Sequence, residues 1–183
     1  MKWRSIGLAG IYIAPVKADG GMNEEALTLV GKTLRGTAGF TSDTAQMNNF
    51  YSNESIMPEE SVVSEYPVQA LRYALMDLEP EKVVVVAGGE VVDMTGGTKK
   101  YKAPRGAVEK EHCVRAITDF GLVIDFPRLK TSATVNWPLD RDNIATIEVE
   151  QTVMDPFGVN DAPYEYYQGS ELTEGQAGYD LVN

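Results

Sequence analysis

Residue types suited to chemistry are sparse in this sequence. One histidine, His112, and one cysteine, Cys113, stand side by side. A cysteine nucleophile needs a base within hydrogen-bond reach, and neighbours on a strand point to opposite faces. The run "EHCVRAI" therefore reads as one buried thiol and one exposed ring, not a catalytic dyad. The two residues alone cannot build a zinc site, and no EF-hand-type calcium loop is present, so neither metal nor cofactor is expected. Carboxylates are plentiful. Asp140 and Asp142, or Glu148 and Glu150, could serve a two-carboxylate hydrolase. With 27 Asp and Glu in 183 residues, a solvated acidic face is the plainer reading. There is no Walker-type phosphate loop, Rossmann glycine fingerprint, H-E-x-x-H pair or G-x-S-x-G elbow. The glycines of "GGEVVDMTGG" do not open a helix that would hold a phosphate. No enzyme is expected.

Charge and cysteine content narrow the setting. The formal net charge is -11. Gripping nucleic acid depends on Lys and Arg releasing phosphate counterions, so tight DNA binding is disfavoured. A single cysteine rules out an internal disulfide and fits a reducing compartment. No stretch approaches the ~20 apolar residues of a membrane span. The opening "MKWRSIGLAGIYIAPVKADGG" is broken by Gly7, Gly10 and Pro15, so an arm or strand is read there and not a signal peptide. Length and 43% hydrophobic residues suit one core.

The elements that must carry these residues are mostly β-like. Residues 6–14 read as an extended arm or edge strand, and "LTLVGKTLRGTAGF" as a strand bent at its glycines. Around 41–61 lies a long polar, acidic excursion, strand-like only near 45–51. "EYPVQALRYALMD" is a further strand, and "EVVDM" and "KKYKA" flank a "TGGT" turn as a hairpin. Strands follow over 108–117, in "LVIDF", in "LKTSATVNWPL" and in "IATIEVEQTVM". The last alternates cleanly, with Thr146, Glu148 and Glu150 on one face and Ile147, Val149 and Gln151 on the other. Trp3 and Trp137 read as packing residues. Periodicity vanishes beyond Asp155, where "YEYY" reads equally as a docking patch or part of a loose tail.

"DLEPEKVVVVAGGEV" sets four valines inside helix punctuation. Asp77 is a candidate N-cap, Pro80 suits a first turn, and Gly88 and Gly89 supply a stop. Each valine costs at most ~0.7 kcal/mol of helix propensity, while burying one returns ~1.5 kcal/mol or more. The spacing predicts a short buried helix, about Leu78 to Ala87, with a strand as the alternative. Many short strands and one short helix predict a mainly β fold: a two-sheet antiparallel β-sandwich or barrel with one short α-helix.

This layout resembles the tail tube (major tail) proteins of long-tailed bacteriophages, which share a fold with the type VI secretion tube protein. The likeness rests on Asp77-Leu78-Glu79-Pro80 through Gly88-Gly89. It continues through Ile117-Thr118-Asp119-Phe120-Gly121, "LVIDFP", "ATVNWPL" and "IATIEVEQTVMDP". It covers roughly residues 27–156.

The resemblance implies a β-sandwich tube domain over 27–156 with a long loop near 41–61, an N-terminal arm over 1–26, and a C-terminal arm or disordered tail over 157–183. It implies self-assembly into stacked, hexameric rings, contact with other tail proteins, and passage of DNA without adhesion. The setting would be the virion tail, assembled in the bacterial host cytoplasm and away from membranes. The loop would order only on assembly. Thr146, Glu148 and Glu150 would face a channel of negative potential, and the cluster Lys99, Lys100, Lys102 and Arg105 would lie on an outer or stacking face. A tail terminator or secretion tube of the same fold, a soluble ligand- or carbohydrate-binding β-sandwich, and an acidic-site hydrolase are the competing readings.

Overall fold

The computed structural model describes residues 6–106, 108–157 and 162–182; Trp3 lies outside them. In chain order the strands are β1 (Gly10–Pro15), β2 (Thr28–Leu29), β3 (Gly39–Ser42), β4 (Gln46–Phe50), β5 (Glu60–Glu65) and β6 (Gln69–Leu75). Helix α1 (Pro80–Ala87) precedes β7 (Glu90–Asp93), β8 (Lys99–Lys102), β9 (Lys110–Ile117), β10 (Leu122–Asn136), β11 (Thr146–Val153) and β12 (Glu165–Gln168). A single turn, α2 (Tyr179–Val182), follows. The fold is mainly β and antiparallel.

The main sheet runs β2-β1-β9-β10-β11-β6-β3, with β12 also paired to β10. Its two end strands are tied by one segment. Thr28 and Leu29 pair with β1, and the Val30 amide donates to the Ile11 carbonyl at 3.0 Å. A few residues on, the Leu34 amide donates to Ala74 at 2.7 Å and the Met76 amide donates to Lys32 at 2.9 Å. The sheet is thereby curled round on itself. Alternate residues of every wall point inward, so Ile11 and Ile13, Leu71, Tyr73 and Leu75, and Ile147 and Val149 share one core.

Helix α1 supplies Val83 and Val86 to that core, while Val85 stays at the surface. Burial at helical spacing decides the valine run in favour of helix. The start differs from expectation. Glu79 takes the cap position without a side-chain cap bond. Asp77 is instead the ion-pair partner of Lys82, at 2.6 Å, and this ammonium holds its carboxyl below the usual range. The glycine stop is as expected: Gly88 (φ +75°) donates its amide to Val84 at 3.1 Å. At Gly89 (φ +98°) an added Cβ would lie 2.4 Å from the Lys102 carbonyl, so a side chain would displace β8.

Four expectations are corrected. β1 is no arm or edge: it lies between β2 and β9 with Ile11 and Ile13 buried. Residues 27–40 form no single strand, because the segment divides its hydrogen bonds between β1 and β6. "LVIDF" and "LKTSATVN" are one strand, β10. Pro127 and Arg128 face only Cys113 across the ladder, and the resulting bulge accommodates a residue without an amide proton. Finally, the segment after Asp155 is ordered where described. Tyr164 packs against Phe40, ring centroids 5.1 Å apart, β12 pairs with Leu122–Asp125, and Leu172 is buried.

Candidate functional site

The three channel-wall candidates stand on β11, whose partners are β10 and β6. Glu148 lies between Thr134 and Ala74, and Glu150 between Ser132 and Arg72. Both carboxylates are exposed on the outer face, opposite the buried Ile147 and Val149. Thr146 has the same parity but is buried, so it is not part of the protomer's open face. An open groove of about 320 Å³ crosses this wall, floored by Ala74 and bordered by Thr37, Ser132 and Thr134. The Arg72 guanidinium donates to Glu150 at 2.7 Å and to the Thr41 hydroxyl at 3.5 Å. Glu150 is therefore neutralised locally. Glu148 is the wall carboxylate without a cation partner among the described residues. The surface carries the hydroxyls of Thr37, Ser132 and Thr134 and one carboxylate without a cation partner, and no nucleophile stands beside a base in it among the described residues.

A second feature rises beside this wall. β4 and β5 pair only with each other, and every residue of both is exposed. Register puts Met47 opposite Val63 and Asn48 opposite Val62. Side chains alternate across a ribbon, so both of its faces carry uncovered apolar groups. Tyr51, Ile56 and Met57 extend them through the connecting loop, with Ile56 97% exposed. An isolated two-stranded ribbon is marginal in water.

The β7–β8 hairpin forms as its "TGGT" turn indicates and packs beside α1. Glu81 holds Lys99 in an ion pair, and Glu90 holds Lys102 at 3.7 Å. Lys100 and Arg105 have no such partner among the described residues. Trp137 is not a packing residue. It is 58% exposed beside the still more exposed Leu139, on the β10–β11 turn.

The cysteine is buried as expected, but the histidine is buried too, because β9 is covered on both faces. The His112 ring shares a 2.7 Å hydrogen bond with the Thr131 hydroxyl, which also accepts from the Gln151 amide at 3.0 Å. Burial, with Lys110 nearby, pulls the imidazole down to about 4. Burial also pushes the Cys113 thiol up, away from the thiolate needed for reactivity. No group of three or more His, Cys, Asp or Glu could hold a metal ion among the described residues. Among them, too, no helix is long and apolar enough to cross a membrane.

One constellation went unseen in the sequence. Arg115, 1% exposed, donates to both Asp125 oxygens at 2.8 and 2.7 Å. It also reaches Glu24 at 3.3 Å and the Ala177 carbonyl at 3.4 Å. The Tyr167 hydroxyl donates to Asp125 at 2.9 Å, and Gln176 donates to Glu24 at 2.9 Å. Burial alone would lower the guanidinium pKa, but the Asp125 hydrogen bonds and charge raise it above its usual value. Burial and Asp125 together push the Tyr167 phenol up. These bonds fasten the segment after β12 to the barrel. A polar side chain on the β9 alternation was the available signal.

The fold and surface define an antiparallel β-barrel-like protein with a projecting ribbon and a hydroxyl-rich wall. A scan of known protein families finds none that matches the chain, and a search of curated proteins finds no match.

Proposed function

We propose that this chain is a structural subunit of a phage tail tube, self-assembling into stacked rings around a DNA conduit, and that it is not an enzyme. The observation that carries the reading is the β4–β5 ribbon. It projects from a finished barrel with apolar side chains on both faces, and nothing in a single copy covers them. Contiguous exposed apolar surface of this kind marks an interaction site. The order of elements supports the reading: a strand running into a valine helix closed by Gly88-Gly89, then later a strand, the turn at 119–121 and two long strands, follows the tube layout, with its short strand merged into β10. The hydroxyl-rich wall suits a conduit, since it has few free cations to hold a polyanion. β3 and β12 each pair on one side only among the described residues, which suits a ring whose sheets join between subunits.

The test is direct. Purified protein at high concentration should give rings or tubes with a central channel in negative-stain electron microscopy. It should bind double-stranded DNA weakly and without steep salt dependence. A strict monomer at every concentration, or tight salt-sensitive DNA binding, overturns the proposal.

A further inference from the structure

We propose that the occupant of the β4–β5 ribbon is the β7–β8 hairpin of a second copy of this chain. The inference rests on the self-assembly reading and names the surfaces that meet. The ribbon's exposed apolar residues, Met47, Phe50, Val62 and Val63, require a cover, and its charge selects which one. Between Arg35 and Arg72 the chain carries Asp43, Glu54, Glu59, Glu60 and Glu65, with no lysine or arginine. A partner surface as acidic as the rest of this protein would be repelled. One segment has the opposite character: residues 94–106 hold Lys99, Lys100, Lys102 and Arg105 and no acid.

Two of those cations are engaged within the protomer and two are not. Lys99 and Lys102 pair with Glu81 and Glu90, while Lys100 and Arg105 remain available. The same hairpin offers apolar contact, since Met94 at its turn is half exposed and Val91 and Val92 are partly so. It is rigidly seated: Lys99 ties it to the start of α1, and Gly89 fits against Tyr101 and the Lys102 carbonyl at its base. An acidic ribbon meeting a hairpin whose own acids, Glu90 and Asp93, lie beside Lys102 and Lys99 and leave Lys100 and Arg105 unpaired among the described residues is a heterologous contact. Each copy offers both halves, so the contact propagates from copy to copy.

The experiment is a charge swap read by sedimentation velocity and electron microscopy. One variant carries Glu54→Lys, Glu60→Lys and Glu65→Lys; the other carries Lys100→Glu and Arg105→Glu. None of these side chains has an ion-pair partner in the protomer among the described residues, so both variants should melt like the parent. Each alone should need at least ~10-fold more protein to associate than the parent, since each exposed pair counts for a fraction of the 1.4 kcal/mol that a factor of ten represents. A 1:1 mixture of the two should recover association, because each reversed surface then faces its complement. Parental association should weaken between 0.05 and 0.5 M salt, roughly the range over which the Debye length shrinks below the contact scale.

If the parent forms rings and both variants do so equally well, the docking inference fails and the tube reading stands. If the parent forms only small closed oligomers, yet the variants dissociate and the mixture restores them, the docking inference stands and the tube reading fails. A parent that never associates overturns both.

Discussion

The Arg115–Asp125 cluster and the β4–β5 ribbon are opposites built by one chain. In the first, a buried guanidinium and carboxylate are joined by a half-buried phenol and a backbone carbonyl from distant segments, and each finds a partner inside the protomer. In the second, apolar side chains that would stabilise a core are held out in water. Burial without a partner is expensive for a charge, and exposure is costly for a valine or phenylalanine. The Arg115 cluster avoids the first cost, and the ribbon accepts the second. The difference teaches that the barrel is complete in one copy and the ribbon is not.

The sharpest way to break the comparison is to remove a partner from the closed region. Asp125→Ala leaves the Arg115 charge buried with only Glu24 and a carbonyl. Unfolding free energy should fall by about 3–5 kcal/mol, read by chemical denaturation. A loss under ~1 kcal/mol would mean the cluster is not the fastening described.

Acid should come next. His112 titrates at about 4 in the fold against an ordinary 6.5, so between those values the unfolded chain binds the extra proton. Stability is then lost as pH falls from ~6.5 to ~4, by on the order of 3 kcal/mol. His112→Gln should flatten that limb. Below it, the depressed carboxyls of Asp77 and Glu111, held by Lys82 and Arg128, extend the loss. Their stabilisation is present at neutral pH and disappears as they protonate.

A gentler cut is Tyr167→Phe, which deletes one hydrogen bond to Asp125 and keeps the ring. About 1.5 kcal/mol is expected from the same denaturation measurement. Hydrogen exchange should speed up in β12 first. Smallest of all on stability is the double change Met47→Ser and Val63→Ser in the ribbon. It should move the melting free energy of the monomer by no more than ~0.5 kcal/mol, as surface changes do, while impairing association. A large destabilisation of the monomer would show that the ribbon already packs within one copy.

The contrast also explains what the sequence made legible. Strict alternation marks a strand with one wet face, so β11 is plain in "IATIEVEQTV". The caps and glycines of α1 are local and visible, and only the role of Asp77 shifts, because Lys82 competes for its carboxylate. What stayed hidden was set by distant covering. The segments before β2 and after β12 lie over the Cys113 and Arg115 face of β9, while His112, on the other face, is enclosed by Thr131 and Gln151 from strands that nothing near it announces. β10 looked like two strands because a bulge can absorb Pro127 only where a partner strand exists. The tail looked loose because its anchors, Tyr164, Tyr167 and Leu172, are held by residues more than 40 positions away, such as Phe40 and Asp125. Of the wall residues, parity found Glu148 and Glu150. It could not find that Thr146 is covered, or that Arg72 neutralises Glu150.

The Arg115 cluster also sets an order of events during synthesis. Asp125 is only 10 residues from Arg115 and meets it in a β-hairpin as soon as both have left the ribosome. Glu24, 91 residues earlier, is already outside and waiting. Tyr167 and Ala177 come 42 residues after Asp125 and 62 after Arg115. At ~5–20 residues per second, the 24 residues from the end of β11 to Ala177 leave an interval of about 1–5 seconds in which the barrel exists and its ion pair lacks its last two partners. A nascent chain in this state exposes the β10 edge that β12 later occupies. The acidic ribbon, by contrast, has been complete since residue 65 emerged. In a polysome, the part that seeks neighbours is therefore ready before the part that seals the protomer.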